Sequence, residues 1–293
     1  MGTIIDHTTV THAGWRSRHS ALHIAVAAAS ACLHEAGCPP NDLDLLVNAG
    51  LYRDRNLGEP ALASMIQEDI GANPEDPHAG AHGTFSFDIA NGVCGPLTAL
   101  QVADGFLRSG SIHRALVVAS DADPGRRMSL DFPFGSAGGA LLCSWTDDPS
   151  GLGPFCWANF PDGGESFHST VGYHDGRNRL RITPSDLMDE TFAVSAAKVA
   201  FECLDRTATH LADVDLVLAA PARAGFTAAL ASDLGVADER VAVARDERTH
   251  TAALIAALHD ATTTGRLRPG STVLLLAAGA GVTAGAAVYR VPG

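Results

Sequence analysis

One stretch of this chain is written twice. ASACLHEAGCPPNDLDLLVNAG, residues 29–50, returns as AAKVAFECLDRTATHLADVDLVLAAP, residues 196–221, with Cys32-Leu33 against Cys203-Leu204 and Asp44-Leu45 against Asp215-Leu216, each pair displaced by 171 positions. A repeat on this scale constrains the fold more than composition does. Each copy reads as helix, polar turn, then an uninterrupted apolar strand. ALASMIQEDIG (61–71) is answered by ALASDLGV (229–236), and FDIANGVCGPLTAL (87–100) by VAVARDERTHTAAL (241–254). Each half closes on an apolar strand and a glycine hairpin: ALVVASD and FGSAGGALLCS in the first, TVLLLAAGAGVTAGAAVYR in the second. The spacer, about Asp147 to Pro184, is rich in Gly and Pro, has no counterpart, and reads as a loop insertion.

The expectation is an α/β protein of two βαβαβαββ halves stacked with pseudo-two-fold symmetry, one spanning 1–150 and the other 151–293. Continuous apolar strands are what sheets covered on both faces require. The plainer alternative is a pair of unrelated α/β domains with chance similarity. At 293 residues, 46% hydrophobic and only 6% aromatic, the chain can bury a large core built of small aliphatics. Its net charge of −13 argues against nucleic-acid or anionic-membrane partners. The six cysteines form no CxxC pair or Cys/His cluster, so neither a disulfide framework nor a metal site is expected. No segment has the length of a membrane span and the N-terminus lacks an apolar signal core, which points to a cytoplasmic protein.

The segment FDIANGVCGPLTALQVADGFLRSGSIHRALVVASD resembles the nucleophile region of the type III ketoacyl-acyl-carrier-protein synthases, within the thiolase-like condensing enzymes. PALASMIQEDIG, FGSAGGALLC and AAGAGVTAGAAVYR are similar to other segments of that family, so the resemblance covers nearly the whole chain. It implies the thiolase fold in a five-layer αβαβα arrangement. It also implies acyl-thioester chemistry without a bound cofactor, and a homodimer or a heterodimer with a related ketosynthase. On the resemblance, Cys94 is the nucleophile at the start of an alanine-rich helix, where first-turn amides favour thiolate. A small buried core cysteine is the plainer alternative. The backbone N–H groups of Cys94 and Gly281 would form the oxyanion hole.

Departures from the family pattern bear on function. Ala222 stands where the family has its histidine, and Thr249 where it has its asparagine. Without that pair nothing obvious stabilises an enolate, so decarboxylative elongation is not expected. His250, brought opposite Cys94 by the internal symmetry, is the candidate base for Cys94 or for an incoming nucleophile, with Asp246 and Glu247 either orienting it or solvated. Glu59, before the motif proline at a position that the resemblance implies is apolar and supplied by the partner subunit, argues for a small or polar acyl group unless it turns outward, since a buried unpaired carboxylate is costly against hydrocarbon. Glu59, Ala222 and Thr249 thus border the expected substrate pocket. The resemblance also implies a reduced coenzyme A site, with Trp15 and Arg16 serving in part as the alternative. HSTVGYHDGRNRLR (168–181) reads as a solvated loop, with an anionic carrier as the other reading.

The leading expectation is an acyltransferase of secondary metabolism that takes an acyl group from a carrier-protein or coenzyme A thioester through acyl-Cys94. A condensing enzyme using a pre-activated carbon nucleophile and a non-catalytic ketosynthase-like partner subunit are the alternatives.

Overall fold

A computed structural model describes residues 1–15, 17–73, 83–125 and 127–293. In the first half, β1 (Gly2–His12) leads to α1 (Ala21–Glu35), β2 (Leu45–Asn48), α2 (Leu62–Ile70) and β3 (Phe85–Asp88). Then follow α3 (Gly95–Arg108), β4 (Arg114–Asp121), the short β5 (Ser129–Leu130) and β6 (Ala137–Thr146). The second half runs β7 (Gly151–Asn159), β8 (Phe167–His174), β9 (Arg177–Pro184), α4 (Met188–Arg206), β10 (Leu216–Ala220) and α5 (Ala224–Leu234). It ends with β11 (Val241–Ala242), α6 (Ala253–Thr263), β12 (Thr272–Gly279) and β13 (Thr283–Arg290).

Two five-stranded sheets result, ordered β1-β6-β4-β2-β3 and β7-β13-β12-β10-β11, the same path traced twice. Helices α1 and α2 cover the outer face of the first sheet and α4 and α5 that of the second, while α3 and α6 pack between the sheets. That is the five-layer arrangement expected. The repeated aspartates show why the sequence repeats. Asp44 accepts hydrogen bonds from the backbone N–H groups of His113 and Arg114 at 2.8 and 2.9 Å, and Asp215 accepts from that of Thr272 at 2.8 Å. In each half the carboxylate ties the entry of one strand to the start of its parallel neighbour. Gly71 and Gly235 match as well, both closing their helix in the left-handed region at φ 74° and 68°.

The spacer is more ordered than expected. β7 pairs antiparallel with β13 as β1 pairs with β6, so it is the counterpart that the sequence comparison misses. Its Gly-Leu-Gly-Pro opening hides it. Pro154 is tolerated because β7 is an edge strand and its register with β13 shifts beside that proline. Residues 168–181 also form structure rather than a solvated loop, since β8 and β9 make an antiparallel hairpin. Asp175 and Gly176 both have positive φ, 50° and 76°, the two-residue turn that matches strand twist. With β5 this hairpin builds a third, small sheet.

The entry to α3 is tightly set. A Cβ on Gly95 would stand 3.0 Å from the Ala49 carbonyl oxygen and 3.1 Å from Ala49 Cβ, so glycine lets the first turn of α3 lie on the end of β2. No helix among the described residues is long and apolar enough to cross a membrane.

Candidate active site

β4 delivers Asp121 as its last residue, fully buried at the end of an apolar strand. Its carboxylate accepts hydrogen bonds from the backbone N–H of Tyr52 at 2.9 Å, from the backbone N–H and Oγ1 of Thr251 at 2.8 and 2.7 Å, and from His250 Nδ1 at 3.3 Å. Burial alone would raise its pKa. The charge and hydrogen bond of His250 and the other donors outweigh burial and hold Asp121 below the usual carboxylate range. An ionised Asp121 only accepts, so it holds a proton on His250 Nδ1, and the neutral form of the ring carries its lone pair on Nε2. Nε2 has no hydrogen-bond partner among the described residues.

Aromatic rings clamp the imidazole. Phe134 stacks on it with centroids 4.1 Å apart and Tyr52 leans on it at 5.2 Å. The Tyr52 hydroxyl donates to Ser169 Oγ at 3.0 Å, and burial pushes the phenol up to about 12, which keeps it neutral. His250, Tyr52, Phe134 and Ser169 all border a cavity of about 260 Å³. Its walls are chiefly apolar, with Val93, Phe167, Ile182, Met188 and Phe192 among them. Arg223 also lines it, held by Asp189 through bonds of 2.6 and 3.1 Å.

Cys94 is elsewhere. It is fully buried and does not line this cavity, although its neighbours Gly92 and Val93 do. Its Sγ points to the Thr283 carbonyl oxygen at 3.5 Å, and a Cβ on Gly279 would come within 3.4 Å of the sulfur. The local reason is the 3₁₀ turn Gly92–Cys94 that runs straight into α3. Three residues per turn send adjacent side chains about 120° apart, so only one of Val93 and Cys94 can face the cavity. Val93 does. Burial pushes the Cys94 thiol up to about 12 in this closed arrangement. Its backbone N–H is also taken, donating to the Asn91 carbonyl at 3.0 Å. In this arrangement the thiol is covered and its N–H is engaged, although both stand next to Gly279 of the cavity wall.

The other expected residues scatter. Gly281 lies in an exposed turn at φ 119° and does not border the cavity, where Gly279 and Ala280 stand instead. Ala222 is fully buried between Pro221 and Arg223, which both line the wall. Thr249 is 3% exposed, and its Oγ1 is buried without a hydrogen-bond partner rather than presented to the cavity. Glu59 is exposed and away from its own chain's cavity, as a residue supplied to a partner subunit's pocket would be. Asp246 bonds to the Arg248 N–H, and Asp121 takes the orienting role considered for it. Trp15 is 73% exposed, and Arg16 lies outside the described residues.

Of the expected set, only His250 reaches the cavity. Tyr52, Ser169 and Arg223 border the cavity with it and Asp121 stands behind it, none with a motif to single it out. Asp121 does leave a signal: a carboxylate ending the apolar run ALVVASD asks for buried partners.

Comparison with known proteins agrees with this architecture. Residues 87–159 match the family model "3-Oxoacyl-[acyl-carrier-protein (ACP)] synthase III", and residues 204–291 match its C-terminal counterpart. The chain is 31% identical to a beta-ketoacyl-[acyl-carrier-protein] synthase III of Sphingopyxis alaskensis, over 98% of this chain and 90% of the relative. It is 30% identical to the synthase III of Erythrobacter litoralis, over 97% and 90%. The crystal structure of the Aquifex aeolicus 3-oxoacyl-[acyl-carrier-protein] synthase III superposes with a TM-score of 0.83 at 24% identity, covering 99% of this chain and 100% of that one. The priming beta-ketosynthase of the R1128 polyketide pathway gives 0.82 at 20% identity, covering 99% and 96%. The chain belongs to the 3-oxoacyl-[acyl-carrier-protein] synthase III family.

Proposed function

We propose that this protein is an acyltransferase that passes an acyl group directly from a carrier-protein or coenzyme A thioester to a hydroxyl or amine acceptor, without an acyl-Cys94 stage. The observation that carries this reading is the cavity-facing imidazole of His250, held through Nδ1 by the buried, ionised Asp121. His250 Nε2 takes the acceptor's proton as the acceptor oxygen or nitrogen attacks the thioester carbonyl. The C–S bond breaks, and the leaving thiolate recovers the proton from the imidazolium. Asp121 stabilises that imidazolium and keeps its orientation. The Gly279–Ala280 turn borders the same cavity and replaces Gly281 as the candidate oxyanion segment. Apolar walls favour an apolar acyl group over a polar one.

The test is thiol release from a panel of acyl-coenzyme A and acyl-pantetheine donors with alcohol and amine acceptors. Wild type and Cys94→Ala are expected to turn over within about twofold of each other, as befits a thiol that the substrate does not touch. Absence of any acceptor-dependent release would favour the non-catalytic partner subunit instead, a reading that the valine in the cavity wall also supports. A second copy of the chain would pair along the edge strand β3, where Phe85 is 59% exposed. Sedimentation velocity checks this: a dimer is expected for wild type and a larger monomer fraction for Phe85→Glu.

A further inference from the structure

Among the described residues that border the cavity, Arg223 is the one with a fixed charge at neutral pH. It follows β10 and Pro221 and occupies the N-cap position of α5. Asp189 holds it from the first turn of α4, where the helix dipole favours a carboxylate. The two bonds, from Nε to Oδ1 at 2.6 Å and from Nη2 to Oδ2 at 3.1 Å, use one edge of the planar guanidinium. A Cβ on Gly225 would collide with that carboxylate, so a glycine in the first turn of α5 makes room for the pair. The other edge, Nη1 with the second N–H of Nη2, has no hydrogen-bond partner among the described residues.

This fork is oriented and incomplete. Met188 and Phe192, from the same helix as Asp189, line the cavity with it, so a ligand made only of hydrocarbon would cover the free edge without pairing it. A carboxylate pairs it with two parallel hydrogen bonds. The hydrogen bonds and charge of Asp189, together with the charge of Glu247, offset the positive charge of Arg223. Recognition therefore depends on matching two N–H donors to two oxygens rather than on attraction for every anion. The apolar walls suit the acyl chain, which leaves the anionic group to the acceptor. We propose that Arg223 selects the acceptor, a short hydroxy acid or amino acid whose carboxylate pairs with the free guanidinium edge while its hydroxyl or amine reaches His250 Nε2. Both residues border one cavity of about 260 Å³, which confines the acceptor to a short chain between its two ends. The proposal rests on the acyl transfer proposed above and adds the class of acceptor and the residue that reads it.

The experiment measures turnover and binding separately, on wild type, Arg223→Gln and Arg223→Lys preparations matched by circular dichroism. Turnover uses 3-hydroxybutyrate and β-alanine as acceptors against methyl 3-hydroxybutyrate and β-alaninamide. Binding uses titration calorimetry with 4-phenylbutyrate against its amide. Arg223 is half exposed, with 48% of its side chain accessible, so water limits the wild-type preference for the acid to about tenfold in kcat/KM and in Kd. In Arg223→Gln both ratios are expected to fall to about one, and Arg223→Lys, a point charge without the fork, to restore only a small part. Ratios that are the same in wild type and Arg223→Gln would overturn the proposal. A phosphate of coenzyme A offers the same anionic chemistry, so donors are compared with and without it. If Arg223→Gln raises KM for the coenzyme A thioester but not for the N-acetylcysteamine thioester, with the acid preference intact, Arg223 reads the donor and the proposal falls. If the carboxylate preference in binding depends on Arg223 while no thioester turns over, the catalytic reading fails and the carboxylate subsite stands.

Discussion

His250→Ala is expected to slow acceptor-dependent acyl transfer by about 10²–10⁴-fold, the usual loss when a positioned general base is removed. The fold should survive. The ring is 8% exposed and stacked on Phe134, so its removal opens a small space beside the cavity without orphaning a strand. It does release one of the bonds to Asp121, while those from Tyr52 and Thr251 remain. Steady-state kinetics with circular dichroism on the same preparation separates chemistry from folding. Asp121→Asn sharpens the result, because an amide can hold the ring in the wrong tautomer and so lowers turnover with the imidazole still present. Full activity in His250→Ala would place the base elsewhere.

The second large effect is a gain. Val93→Cys in a Cys94→Ala background moves the thiol by one position, from the core to the cavity wall. Wild-type Cys94, at about 12, is thiolate in roughly one molecule in 10⁴ at pH 8. An ordinary cysteine near 8.5 is about one quarter thiolate at that pH. The greater intrinsic nucleophilicity of a basic thiolate recovers part of the difference. What remains is about 10²-fold faster alkylation by iodoacetamide at the introduced cysteine than at Cys94 of the wild type. The same variant is expected to take up one acyl group from a thioester donor. Peptide mapping after timed alkylation reads the outcome. Rapid native-state labelling of Cys94, or none at the introduced cysteine, would contradict the placement of these two side chains.

These two residues also mark what the sequence can and cannot show. The repeat leads to the duplicated sheets because Asp44 and Asp215 perform the same task on neighbouring strands. His250 comes to notice through the same symmetry. The covering of Cys94 is not legible because a 3₁₀ turn decides which of two adjacent residues faces the cavity, and no hydrophobic period is long enough there to reveal it. Asp121 escapes notice because its partner lies 129 positions away, a closure that only packing of the two halves creates. β7 is hidden by Pro154, which an edge strand accommodates, and the hairpin by charged strands that need bury only one face. Its Asp175-Gly176 turn is nonetheless a legible hairpin signal.

Acyl transfer at His250 is expected to proceed without a covalent stage on Cys94. Intact-protein mass spectrometry of samples quenched during turnover, with the most active donor and limiting acceptor, tests it most directly. Unmodified protein is expected at every time point while product accumulates, with the same rate for Cys94→Ala. One added acyl mass that maps to Cys94, together with loss of transfer in Cys94→Ala, would contradict it and restore the acyl-cysteine mechanism.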